Sequence, residues 1–239
     1  MEAKVNIHAF STRSIASNGL CVLSNVVHIM PEEGYYNGKI FHKGIVVRTF
    51  ILNVSEEHKN SQVDIDLFSL PLEKNFGGAT LQNNYNLMPK GYIVLYVSEG
   101  DGRYSIILES TKKRKVYNTA EYLIKSDLFV VTLLRPGIYK MIDKGNNNEG
   151  QITVKYPIIG KKRFIPNEPI KITVTEKGFS KSDISLNPSE AVLFQIDTEK
   201  SMIVVDLLKP DDGPKEKLGK QYRKTKWKNP NMSTNVKKR

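Results

Sequence analysis

Short apolar runs rich in Val, Ile, Tyr and Phe recur along the chain, broken every ten residues or so by Gly, Pro, Asn or Asp. Several of them alternate, as Val63-Asp64-Ile65-Asp66-Leu67 does, which is the period of a strand with one face buried. The pattern predicts strands over 5–10, 20–30, 45–54, 62–68, 91–98, 104–109, 127–134, 137–142, 151–156, 170–175, 191–196 and 202–207. A helical signal appears around 119–124, with Asn118 or Thr119 as its cap. The glycines of Glu99-Gly100-Asp101-Gly102 predict a hairpin between 91–98 and 104–109, and Arg135-Pro136-Gly137 predicts a turn that sends 130–134 back as 138–141.

So many short strands exceed one seven-stranded sandwich. The expected fold is all-β: two antiparallel β-sandwich modules, with a main module at 1–156, a proline-rich linker at 157–169, a smaller module at 170–213 and a basic tail at 214–239. Its 239 residues are 39% hydrophobic, enough for a buried core. The absence of a long apolar run and of a leader-like start makes the chain look cytoplasmic, with no membrane span. A lone cysteine, Cys21, removes an internal disulfide from consideration.

Charge divides the chain. The formal net charge is +11, yet the last 25 residues hold ten basic residues and one acid, a charge of +9, and the rest carries +2. Dense like charge without apolar partners describes either an arm attracted to polyanions through counterion release or a solubilising terminus with no partner. Its residues for that role are Lys220, Arg223, Lys224, Lys226, Trp227 and Lys228, the tryptophan being suited to stacking. Two further clusters, Lys112-Lys113-Arg114-Lys115 and Lys161-Lys162-Arg163, read first as solvated loops and second as additions to the same surface.

The segment from Asp127 through Pro136-Gly137-Ile138-Tyr139 to Gly150-Gln151-Ile152-Thr153-Val154 resembles the C-terminal half of the cupredoxin family. Met88-Pro89-Lys90-Gly91 with the strand after it is similar to that family's strand before the first ligand, and 170–194 resembles the start of another such domain. Across about 75–208 the resemblance implies a β-sandwich scaffold. Pro-Gly-x-Tyr turns also occur in immunoglobulin-like sandwiches, so either type of module fits. The copper ligands are missing: between Tyr139 and Gly150 stand Met141, Asp143 and asparagines, with neither Cys nor His. The resemblance implies a scaffold without a copper cofactor.

All four histidines, His8, His28, His42 and His58, lie in the first quarter with Cys21. Their spacing matches no metal motif, and His28 and His42 either face one another across a hairpin closed by Glu32-Glu33-Gly34 or are unrelated. Cys21, between Leu20 and Val22, reads as a buried thiol. Asp64 and Asp66 share a strand face, and Pro210-Asp211-Asp212-Gly213-Pro214 reads as a turn closing the folded body. Signature loops for nucleotides, zinc proteases and serine hydrolases are absent from the sequence. The expected function is therefore non-enzymatic: a structural or interaction protein that docks to a partner or self-assembles, with a basic arm for an acidic surface or polyanion. Nucleic-acid binding through the tail and loop clusters is the alternative, and a metal-dependent enzyme built on the histidines is the third.

Overall fold

The computed structural model describes residues 6–69, 74–76, 79–81, 83–111, 117–156 and 167–213. They are almost wholly β. In chain order the strands are β1 (Ser14–Ala16), β2 (Ser24–Ile29), β3 (Gly34–His42), β4 (Ile45–Val54), β5 (Gln62–Asp66), β6 (Lys74–Phe76), β7 (Ala79–Leu81), β8 (Asn83–Leu87), β9 (Tyr92–Tyr96), β10 (Tyr104–Ser110), β11 (Tyr117–Asn118), β12 (Leu128–Leu133), β13 (Gly137–Asp143), β14 (Asn148–Val154), β15 (Ile170–Thr175), β16 (Gly178–Phe179), β17 (Asp183–Leu186), β18 (Glu190–Ile196) and β19 (Ile203–Pro210). The strand expected at 5–10 is instead a short helix, α1 (Ile7–Ser11), because the Asn6 side chain accepts from His8 N and caps its first turn.

A seven-stranded central sheet has the order β16-β15-β18-β12-β2-β9-β5, and two five-stranded sheets have the orders β11-β10-β3-β4-β8 and β1-β19-β13-β14-β17. The hydrogen-bond pattern occurs twice. In the first half β2 runs antiparallel to β9, which takes β5 in parallel; in the second, β12 runs antiparallel to β18, which takes β15 in parallel. Likewise β3 lies between β4 and β10, with β8 parallel to β4, as β13 lies between β14 and β19, with β17 parallel to β14. Registers match as well, Gly34 opposite Val54 and Gly137 opposite Val154. Both corners use a glycine at φ 149, followed two residues later by a tyrosine whose hydroxyl donates four residues back, Tyr36 to Glu32 O at 2.8 Å and Tyr139 to Arg135 O at 2.7 Å. The chain is thus an internal duplication.

The repeats exchange their leading strands. β1, which precedes the first repeat, pairs with β19 of the second, and β11, which precedes the second, pairs with β10 of the first. The hydroxyl that follows each one is used alike: Ser17 Oγ accepts from Ile203 N at 3.1 Å, and Thr119 Oγ1 from Ile106 N at 2.9 Å. That bond and the bridge from Leu123 to Ser201 hold 119–123 as a turn where the sequence suggested a helix. β2 and β12 meet as antiparallel neighbours with the matched residues Val26 and Phe129 opposite each other. A local two-fold normal to the sheet therefore relates the repeats.

One face of the central sheet is buried from β5 to β15. The row Ile65, Leu95, Val26, Phe129, Phe194, Ile172 crosses six strands in register, every member fully buried. It forms a single cluster with Ile40 and Leu52 of one outer sheet and Tyr139 and Ile152 of the other. Each such side chain contributes about 1.5–3 kcal/mol. The turns at 99–102 and 135–137 do not close hairpins, because β9 and β12 belong to the central sheet while β10 and β13 belong to the outer ones. Strands on either side of the expected 157–169 boundary pair with each other, β14 with β17 and β12 with β18, so hydrogen bonding is continuous across it, and the point between the two repeats falls at β11.

Candidate functional site

The residues assigned to polyanion binding, Lys112, Lys113, Arg114, Lys115, Lys161, Lys162, Arg163, Lys220, Arg223, Lys224, Lys226, Trp227 and Lys228, all lie outside the described residues. Their anchoring points do not. The ladder of β14 with β17 continues through Lys155 N to Leu186 O at 2.8 Å and brings Tyr156 to the end of the outer sheet. On the neighbouring side β19 ends at Pro210, Asp211 N bonds Pro136 O at 2.9 Å, and Asp211 Oδ1 accepts from Gly213 N at 2.9 Å, which makes the expected turn. Gly213 lies directly against the Tyr156 ring, where any side chain would collide. The stretches that carry Lys161-Lys162-Arg163 and the tail therefore leave from adjoining positions.

Between these roots is a cleft of about 460 Å3 lined by Ile138, Thr153, Lys155, Tyr156, Lys209 and Asp211 among others. Lys155 and Lys209 are exposed at its rim, and beside it Arg135 pairs with Asp212 at 3.1 Å. The lining sets two lysines against one carboxylate, Asp211, beside the Tyr156 ring. The third cluster, 112–115, is anchored elsewhere. Thr111 N bonds Tyr35 O at 3.1 Å, and Tyr117 lies opposite Leu108 in the first repeat's outer sheet. Thr111 matches Lys209 by register, so each repeat's last strand runs into a basic stretch, and the two-fold sends these exits to opposite ends.

The histidines go to four different places. His8 is exposed on α1, His42 Nε2 lies 2.9 Å from Asp101 and its ring stacks on Tyr104, and Asn53 Nδ2 lies 2.8 Å from His58 Nε2. The facing of His28 and His42 suggested by the sequence does not occur, because β2 and β3 are in different sheets. Among the described residues no three His, Cys, Asp or Glu gather as metal ligands. Burial pushes the Cys21 thiol up despite bonds from Leu23 and Ser24, which leaves it protonated and unreactive. Asp66 is a local cap, accepting from Ser69, Phe68 and Ser98, while Asp64 stays exposed beside Gln62.

His28 instead forms the buried polar centre of the repeat junction. Its Nδ1 lies 2.7 Å from Asp127 Oδ1, and Asp127 Oδ2 accepts from Tyr117 Oη at 3.1 Å and Ile124 N at 2.9 Å. The His28 and Tyr117 rings stack at 3.7 Å. Burial, then the Asp127 charge, raises the Tyr117 hydroxyl well above its ordinary pKa, so it stays a donor. All three side chains are buried, which makes the cluster a fastening between the repeats, and a cleft of about 230 Å3 lined by Tyr117, Ile124, Glu199 and Lys200 among others opens beside it. The cluster's sequence signal was an aspartate heading the apolar run 127–134.

No helix among the described residues is long and apolar enough to cross a membrane. Compared with family models, curated proteins and solved structures, the chain matches none.

Proposed function

We propose that this chain is a non-enzymatic interaction protein: a duplicated β-sandwich scaffold of cupredoxin-like or immunoglobulin-like type that presents basic segments to a polyanion or acidic surface. One observation carries the proposal, the seating of the tail root at Gly213 on Tyr156, the residue that precedes the segment bearing Lys161-Lys162-Arg163. It joins a segment of charge +3 to one of +9 beside Lys155 and Lys209. Basic segments rooted side by side neutralise several phosphates or sulfates together, and affinity then falls steeply with salt.

Fluorescence anisotropy of labelled heparin and of a labelled single-stranded oligonucleotide, across a salt series, tests this. The full chain binds both, and removal of 214–239 weakens binding and flattens the salt slope. Equal binding by the truncated chain at the same slope would overturn the proposal. Nucleic acid is the preferred polyanion if the oligonucleotide quenches Trp227, the chain's single tryptophan, where heparin of equal charge does not.

A further inference from the structure

The opposite face of the central sheet is half-buried over most of its width. Two rows cross it in register: Asp64, Val94, Val27, Leu128, Gln195 and Thr173; then Tyr96, Asn25, Val130, Leu193 and Lys171. Tyr92 and Ile29 lie opposite each other alongside, with Tyr92 41% exposed. The middle is half-buried and apolar except for Asn25, and charge appears at its ends: on β5 the exposed Asp64 and the buried Asp66, which lies opposite Tyr96, and on β15 the exposed Lys171. These two are matched positions of the duplication, since Val63 and Ile170 pair equivalently with Ile93 and Val192. The repeats thus place opposite charges at equivalent points on either side of the local two-fold.

We infer that this face binds a second copy of the same chain, an inference that rests on the proposed role as an interaction protein. With the dimer axis in the sheet plane, parallel to the strands and between β2 and β12, the acidic end of each copy lies over the basic end of the other. With the axis across the strands, Asp64 would face Asp64, so charge selects the first arrangement. Asp64 and Lys171 sit one row apart, a step of about 6.8 Å that a lysine side chain and the usual packing angle of about 30° between sheets cover. The face between β5 and β15 measures about 24 by 17 Å in plan, a small surface that places the dimer in the weak, transient class of interface.

Sedimentation of the full chain over a concentration series reads this directly. Wild type passes from monomer to dimer, and Val130→Glu, at the centre, weakens association at least ten-fold. Asp64→Lys or Lys171→Asp alone weakens it a few-fold, and the two together restore it. The charge variants alter exposed side chains, and an unchanged circular dichroism spectrum certifies their fold. A monomer throughout, a dimer indifferent to Val130→Glu, or a double variant no better than the singles overturns the inference. Polyanion binding by the tail, read separately by anisotropy, is unaffected by any of these results.

Discussion

The two repeats share every strand pairing of their common plan, yet they solve the same packing problems with different residues. In the first, Gly38 on β3 lies opposite Phe50 on β4, and a Cβ on Gly38 would overlap the ring. In the second, the matched pair is Met141 on β13 and Gly150 on β14, where a Cβ on Gly150 would overlap the methionine. The large and small partners have changed strands while the layer has stayed filled. At the junction, His28, Asp127 and Tyr117 on one side of the two-fold match Val131, Ser24 and Ile15 on the other. Ser24 Oγ accepts from Cys21 N at 3.0 Å as Asp127 Oδ2 accepts from Ile124 N. Backbone register fixes where each side chain goes. It leaves open which partner fills the space, provided volume and hydrogen bonds are met.

Breaking the polar side of the junction has the largest expected effect. Asp127→Ala strands the His28 Nδ1, the Tyr117 hydroxyl and the Ile124 amide in a buried site and costs about 3–5 kcal/mol in urea unfolding. Ser24→Ala, at the matched position, costs about 1 kcal/mol. Asp127→Ser restores the backbone cap alone and falls between them. Equal losses for Asp127→Ala and Ser24→Ala would show that the polar cluster is incidental.

Next comes the exchanged pair. Gly38→Ala and Gly150→Ala each overpack a closed layer, at about 1–3 kcal/mol. Gly38→Met combined with Phe50→Gly copies the second repeat's solution, so the double variant is more stable than the sum of its singles predicts, by at least about 1 kcal/mol. Strict additivity would contradict the equivalence of the two sites. Tyr117→Phe, which removes one donor and leaves Asp127 with His28 and Ile124, costs about 1 kcal/mol.

The smallest effect is acid sensitivity. Hydrogen bonds from Lys43 and His42 hold Asp101 down to about 2, and bonds from Ser69, Ser98 and Phe68 outweigh burial to keep Asp66 below its ordinary range. A carboxylate depressed in the folded state stabilises above its unfolded pKa, so this contribution is intact at about pH 5 and fades as pH falls from about 4 towards 2. Because the Asp101 side chain is 40% exposed, Asp101→Asn changes unfolding by well under 1 kcal/mol, and added salt removes most of the difference.

Much of this architecture is written locally. β4 and β15 keep the bounds that alternation predicts, since one buried face imposes the pattern. β3 is masked in the sequence by Gly34, which reads as a hairpin residue but serves a corner, and by Gly38, which interrupts the apolar pattern because it lies close against Phe50. β8 was hidden by its asparagines. The duplication left a trace in Leu87-x-Pro89 before Ile93 to Val97 and Leu186-x-Pro188 before Val192 to Ile196, two stretches 99 residues apart. Strand exchange left none, because β1 finds its partner nearly two hundred residues away and pairing over that separation has no local signature. The basic segments were legible as charge. The meeting of two of their roots was not, since it follows from β14 and β19 both flanking β13.

Hydrogen exchange on the chain with residues 1–16 removed, compared with the full chain, tests the exchanged duplication most directly. If β1 belongs to the second repeat, protection falls along β19, around Val204 to Asp206, while β3 and β10 keep theirs. Protection lost across β3 and β10 with β19 unchanged would place the leading strand in the first repeat and contradict the account.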